Sequence, residues 1–195
     1  MNREPLNPEP NYMNAHHLIL GQLSDFITGR TLNDTHDERY RQKIARLLVE
    51  RKGYLKRDIE ARKDLLVEAG DKRAIVKIDF LINVSDRTCM IIKYGPGSLV
   101  TRRRPVLAAA RLLAPYQIPV AVVTNGEDAE ILGVAGGGIL AVGLENIPSR
   151  VELQHIADRT EFKAIPPRRF AMESRIVYCY EVDDSCPCDE DICKL

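Results

Sequence analysis

Three charged residues have the types and spacing that metal-assisted phosphodiester hydrolysis requires. Asp79 lies inside the apolar run 73–84, where an unpaired carboxylate is costly, and Lys93 lies near the end of the apolar run 88–94. Glu38 lies one turn into a predicted helix. Carboxylates bind hard divalent ions such as Mg²⁺, and a lysine beside them can stabilise charge or position a nucleophile. These residues predict a magnesium-dependent site; the alternative is an ion pair without chemistry.

Hydrophobic periodicity predicts the elements that would position these residues. A helix over about 36–52 begins with a predicted capping box between Thr35 and Glu38 and stops at Gly53. Strands are predicted over 64–69, 73–84 and 88–94, then a helix over about 103–114 and a buried strand over 118–124. The predicted order is α-β-β-β-α-β, with a hairpin that brings Asp79 and Lys93 together.

The remaining segments differ in composition. We predict a flexible arm over 1–14, an α/β domain over 15–147, a helical extension over 148–180 and an acidic, cysteine-rich tail over 181–195. Residues 15–27 are expected to pack on the core as a short helix or an extended piece, and Ser149 with Glu152 predicts a second capping box.

Composition restricts the function classes. The chain has 28 basic and 28 acidic residues, so any nucleic-acid surface must be a local patch. No apolar run is long enough to span a membrane, and the first residues lack a secretory pattern. The sequence therefore predicts a cytoplasmic protein without membrane partners.

As a set, the segments around this site resemble PD-(D/E)xK nucleases, in particular the N-terminal nuclease domain of type I restriction enzyme R subunits. The resemblance covers roughly residues 20–150. It rests on DERYRQKIARLLVERKGY (37–54), KIDFLINV (77–84), MIIKY (90–94) and VVTNGEDAEIL (122–132). It implies a restriction-endonuclease-like core, in which a central mixed sheet is flanked by helices.

The resemblance also implies roles for individual residues. It implies that the protein is a metal-dependent DNA endonuclease, with Glu38 and Asp79 as Mg²⁺ ligands and Lys93 as a catalytic residue. Gln42 lies one turn after Glu38 on the same helix face and would contact nucleic acid. The implied partners are DNA and a separate helicase or restriction–modification subunit, because the chain has no P-loop for a motor of its own.

One position departs from the family pattern. The family has a glutamate two residues before the motif lysine, on the same strand face, and this sequence has Ile91 there. Isoleucine cannot bind a metal, so three interpretations remain open. Another glutamate, with Glu68 the best candidate, could substitute; Glu38 and Asp79 could hold the metal with backbone and water; or the domain could bind DNA or a partner without catalysis.

Two further groups of residues could bind ligands. Arg102, Arg103 and Arg104 follow a glycine-containing loop close after Lys93 and could hold a phosphodiester backbone; the alternative is a solvated helix start. Four cysteines near the end of the chain satisfy the ligand count for Zn²⁺ or an iron–sulfur cluster, and the alternative is a tail with free thiols: Cys179, Cys186, Cys188 and Cys193.

Overall fold

A central mixed sheet forms the frame of the molecule in the computed structural model, which describes residues 18–183 and 192–194. Its strands are β3 (Ile59–Ala69), β4 (Lys72–Val84), β5 (Arg87–Tyr94), β6 (Val120–Thr124), β7 (Ala129–Gly133) and β8 (Ile139–Val142), adjacent in this order. All neighbours are antiparallel except β5 and β6, which are parallel. A separate hairpin joins β1 (Gln22–Ser24) and β2 (Thr31–Asn33), and β9 (Ile192–Lys194) pairs with the start of β4.

Helices cover both faces of this sheet. One apolar core forms under α1 (His36–Arg46) and α3 (Arg150–Asp158), and a second forms under α2 (Arg103–Leu112) and α4 (Pro167–Val177). The five residues of β6 are all buried, as expected for a continuous apolar run in a central strand. The predicted α/β class and the order α1, β3, β4, β5, α2, β6 are confirmed. None of the helices within the described ranges is long and apolar enough to cross a membrane.

The helix that carries Glu38 begins as the sequence predicts but uses only half of the capping box. The Glu38 amide donates to Thr35 Oγ1 at 3.1 Å. The Glu38 carboxylate does not return to the cap; it accepts hydrogen bonds from Gln42 and Arg62. After α1 the chain continues as one π-helical turn, Leu47–Arg51, and Gly53 ends it with φ of +75°. The predicted bond from the Glu38 carboxylate back to the cap was therefore wrong, and this carboxylate bonds to buried or partly buried groups instead.

Two boundaries differ from the predictions. Residues 22–33 form the β1–β2 hairpin, whose turn is held by Asp25 because its Oδ1 accepts hydrogen bonds from the amides of Ile27 and Thr28. Strand β3 begins at Ile59, five residues earlier than predicted. Its first residues were missed because charged side chains follow Ile59 and Ala61 there, so the apolar pattern of a strand is weak. An aspartate such as Asp25 can stabilise a turn through its own side chain, and charged residues within a strand obscure the alternation by which strands are predicted.

A buried ion-pair cluster fixes α4 against α2. Arg111 Nη1 donates to Glu173 Oε1 at 2.7 Å, and both side chains are almost completely buried. Arg104 and Arg169 approach the same carboxylate at 3.0 and 3.3 Å from more exposed positions. Beyond α4 the chain continues as a π-helical segment, Tyr178–Asp183, which packs against β3 and β4.

A second buried contact fixes the loop after α1 to the start of α3. The Tyr54 hydroxyl donates to the Pro148 carbonyl at 2.8 Å, and burial raises the pKa of Tyr54. Tyr54→Phe should lower the free energy of unfolding by about 1–2 kcal/mol, since it leaves a buried carbonyl without its donor. Urea unfolding followed by circular dichroism measures this, with the exposed Tyr180→Phe as the matched control. Equal stability of both variants would contradict the assigned role.

Candidate functional site

Three charged residues lie in a row across β3, β4 and β5, where strand pairing is interrupted. The β3–β4 register places Arg62 opposite Asp79, between the pairs Ala61–Phe80 and Lys63–Ile78. The β4–β5 ladder ends at Phe80–Ile92, so its next position places Asp79 opposite Lys93. Arg62 has φ of +58°, a conformation that non-glycine residues seldom adopt, and such residues are enriched at functional sites. The three strands continue through this row, but their regular pairing is missing there.

Asp79 is buried and bonded through both of its oxygen atoms. Oδ1 accepts a hydrogen bond from Arg41 Nε at 2.6 Å, and Oδ2 accepts one from the Tyr94 amide at 2.7 Å. Burial alone would raise the pKa of Asp79. The charges of Arg41 and Lys93, together with these hydrogen bonds, instead hold that pKa below its usual value. The carboxylate is therefore an anion stabilised by protein groups.

Glu38 is engaged in a similar way. Its Oε1 accepts a hydrogen bond from Gln42 Nε2 at 2.7 Å, and its Oε2 bonds to Arg62 and lies 3.8 Å from Arg41 Nη1. Gln42, predicted to contact nucleic acid, is buried: its amide also bonds to Asp25 and to the backbone of Phe26. In this structure, Gln42 orients Glu38 and anchors the β1–β2 hairpin.

Lys93 lies on the other side of Asp79, against the C-terminal segment. Its Nζ donates to the Lys77 carbonyl at 2.8 Å and lies 3.7 Å from Glu181 Oε2. Side chains of alternating charge thus run through the site in the order Arg62, Glu38, Arg41, Asp79, Lys93 and Glu181. Among the residues that the structure describes, it brings the three predicted site residues into one network of three cations and three carboxylates.

The position that the family gives to a glutamate is part of the apolar core. Ile91 is fully buried in the core under α2 and α4. Glu68, the substitute considered from sequence, lies near the far end of the β3–β4 hairpin, where its exposed carboxylate pairs with Arg73. Glu68 lies six positions along the strand from Arg62, a distance of roughly 20 Å at about 3.3 Å per residue. Glu68 therefore does not replace the missing ligand.

The carboxylates as arranged do not fit a magnesium ion. Every oxygen of Glu38 and Asp79 accepts a hydrogen bond from the protein, and two guanidinium groups stand against them. Within residues 18–183 and 192–194, no cluster of three or more His, Cys, Asp or Glu residues suited to a metal is found. Mg²⁺ prefers several oxygen ligands without a competing positive charge nearby. The two carboxylates are therefore paired with arginines of the protein instead of a metal ion.

The three predicted nucleic-acid-binding arginines have separate roles here. Arg102 packs against Gly95 and donates to the Pro96 carbonyl, so it supports the loop after β5. Arg103 pairs with Glu130 on β7, and Arg104 pairs with Glu173 on α4. Their side chains remain partly exposed. Their contact with nucleic acid stays a prediction.

The cysteine cluster is described only at its ends. Cys179 is exposed on the π-helical segment, and Cys193 is the central residue of strand β9. Cys186 and Cys188 lie outside the described residues, as do the predicted arm 1–14 and most of the tail 181–195. Binding of Zn²⁺ or an iron–sulfur cluster stays a prediction.

Three residues of this network were missed by sequence reasoning. Arg41 follows Glu38 by three residues on one helix face, so helical spacing contained a signal for it. Arg62 depends on a backbone conformation that no local sequence pattern announces. Glu181 is distant in sequence and reaches Lys93 only because α4 docks on α2.

Comparison with known proteins agrees with the sequence resemblance. A family model described as the N terminus of type I restriction enzyme R protein matches residues 36–148, more than half of the chain. No curated protein and no solved structure matches it. The matched region contains α1 and the row of Arg62, Asp79 and Lys93, whereas Glu181 lies beyond it. The chain therefore belongs to the family of type I restriction enzyme R protein N-terminal domains.

Proposed function

We propose that this chain is a restriction-related, nuclease-like module that binds DNA without hydrolysing it. The observation that carries the proposal is the pairing of Asp79 and Glu38 with Arg41 and Arg62, while the family's third acidic position is a buried isoleucine. Hydrolysis at such a site needs carboxylates that are free to hold a metal. Membership of the family supports DNA as the ligand.

The binding surface proposed for DNA is the partly exposed group Arg102, Arg103 and Arg104. Arg103 and Arg104 are partly exposed although their partners Glu130 and Glu173 are buried, so a phosphate could contact the exposed side of each guanidinium while the ion pair stays in place. Electrostatic binding of this kind weakens steeply with salt. A separate helicase or restriction–modification subunit remains the proposed protein partner, since it would bring the module to its DNA.

A cleavage and binding assay tests the proposal. We expect no nicking of supercoiled DNA with Mg²⁺ or Mn²⁺, and binding whose affinity falls as salt rises. The triple variant Arg102→Ala/Arg103→Ala/Arg104→Ala should weaken binding and reduce the salt slope by roughly 2–3. A variant lacking three exposed arginines elsewhere, Arg46, Arg51 and Arg57, is the matched control. Metal-dependent cleavage that Asp79→Ala abolishes would overturn the proposal.

A magnesium-dependent endonuclease is the second candidate, and Glu181 is the observation that favours it. Its carboxylate lies beside Lys93, so the C-terminal segment supplies an acid to a site in which Ile91 provides none. In that case Glu38 and Asp79 would have to exchange their protein partners for the ion, and Glu181 would have to move towards them, since these three carboxylates do not form a metal-binding group as arranged. Cleavage by the unmodified chain that is lost in Glu181→Gln would support this candidate.

A further inference from the structure

The guanidinium of Arg41 lies between the two carboxylates that the family pattern assigns to a metal. Its Nε donates to Asp79 Oδ1 at 2.6 Å, and its Nη1 lies 3.8 Å from Glu38 Oε2. A divalent ion shared by these two residues would draw on the same oxygen atoms. The position is already held by a cation that belongs to the chain.

Neighbouring groups hold Arg41 in this position. It is three residues from Glu38 on the same helix, and its guanidinium lies 5.3 Å from the centre of the Tyr94 ring, within the range of a cation–π contact. The Tyr94 hydroxyl in turn donates to Asp37 Oδ1 at 3.0 Å, which ties the ring to α1. An arginine stays charged at any physiological pH, so this cation is permanent.

We infer that Arg41 is the resident cation of the site, and that removing its charge turns Glu38 and Asp79 into a binding site for a divalent metal ion. The inference deepens the proposed function, on which it rests. Mg²⁺ and similar ions are often held by one or two carboxylates with water completing the shell. Without Arg41, the described network keeps two cations, Arg62 and Lys93, against the carboxylates of Glu38, Asp79 and Glu181, so one negative charge is left for the ion to neutralise.

The first test is thermal unfolding of the whole chain in EDTA and in MnCl₂. Arg41→Met should lower the midpoint in EDTA by roughly 10 °C, because Asp79 loses its ion-pair partner on α1 and the buried site keeps an excess negative charge. Mn²⁺ at about 100 times its Kd should restore roughly 5–10 °C. Arg39→Met is the control, because Arg39 is an exposed arginine of the same helix that pairs with Asp34. This variant and the unmodified chain should show no metal-dependent shift.

Direct titration with Mn²⁺, followed by electron paramagnetic resonance, is the second test. Arg41→Met should bind one ion, Arg41→Met/Asp79→Asn should lose that ion, and Arg41→Lys should bind none. If Arg41→Met is unfolded in EDTA, Mn²⁺ should fold it, as followed by circular dichroism, and the milder Arg41→Gln should show the same metal dependence. Failure of both variants to bind or respond to Mn²⁺ would overturn the inference.

The outcomes separate the inference from the proposed function. A metal-insensitive Arg41→Met, together with an unmodified chain that does not cleave DNA, overturns only the inference. Site-dependent cleavage by the unmodified chain overturns the proposed function, and tight Mn²⁺ binding by that chain at Glu38 and Asp79 overturns the inference.

Discussion

Asp79→Ala should lower the free energy of unfolding by about 3–5 kcal/mol, the cost typical of breaking a buried ion pair from one side. The substitution leaves the largely buried Arg41 guanidinium without the Asp79 carboxylate and the Tyr94 amide without its acceptor. The lowered pKa of Asp79 agrees in sign, because it means that the folded state stabilises the ionised carboxyl. Urea unfolding at pH 7 in EDTA measures the loss.

The matched control is Asp64→Ala, on the neighbouring strand. Asp64 is exposed and lies opposite Lys77 in the β3–β4 ladder, so its loss should cost less than about 1 kcal/mol. A cluster of carboxylates kept for a metal repels itself when the metal is absent, and removing one of them then stabilises the fold. An Asp79→Ala variant at least as stable as the unmodified chain would therefore refute the description of this site as ion-paired.

Ile91→Glu, which would return the family's glutamate to its position, should instead destabilise the domain by about 4 kcal/mol at pH 7. Ile91 is fully buried in the core under α2 and α4, so the new carboxyl has no water and must bind a proton. Its folded-state pKa would be raised above the unfolded value. The penalty therefore grows as pH rises and shrinks as pH falls.

Unfolding measured at pH 5 and at pH 8 distinguishes the titration of Ile91→Glu from lost packing. Ile91→Gln has nearly the same shape and no titratable group, so its stability loss should depend little on pH relative to the unmodified chain. A loss that is equal at both pH values for the glutamate variant would rule out a buried carboxyl. Reversal of that loss by Mg²⁺ or Mn²⁺ would show that the glutamate has joined Glu38 and Asp79 around a metal.

Local patterns predicted the elements on which the site is built. Thr35 starts α1 because its hydroxyl accepts the Glu38 amide, and the apolar runs around Asp79 and Lys93 form neighbouring strands with a turn at Ser85 and Asp86. These features depend on residues close in sequence, so their propensities and local hydrogen bonds can be predicted without knowledge of the tertiary structure.

Charge pairing within the site could not be predicted in the same way. An arginine on a helix surface and an arginine in a strand read as solvated residues, and only their tertiary environment turns Arg41 and Arg62 toward Glu38 and Asp79. Glu181 is still further from a local signal, because an ion pair between distant segments depends on how helices dock. The proximity of Glu38, Asp79 and Lys93 was therefore predictable from sequence, whereas the charge pairing around them was not.

The docking of α4 on α2 also determines when the site is completed during synthesis. Arg111 and Glu173 are 62 residues apart in sequence, and Glu181, the partner of Lys93, follows later still. Chains leave the ribosome from the N terminus, and the earlier segments begin to fold first. A nascent chain therefore presents the Lys93 ammonium and the Arg111 guanidinium without these carboxylates until residues 167–183 have emerged, so the restriction-related core acquires these two ion pairs only after its sheet has been synthesised from β3 to β8.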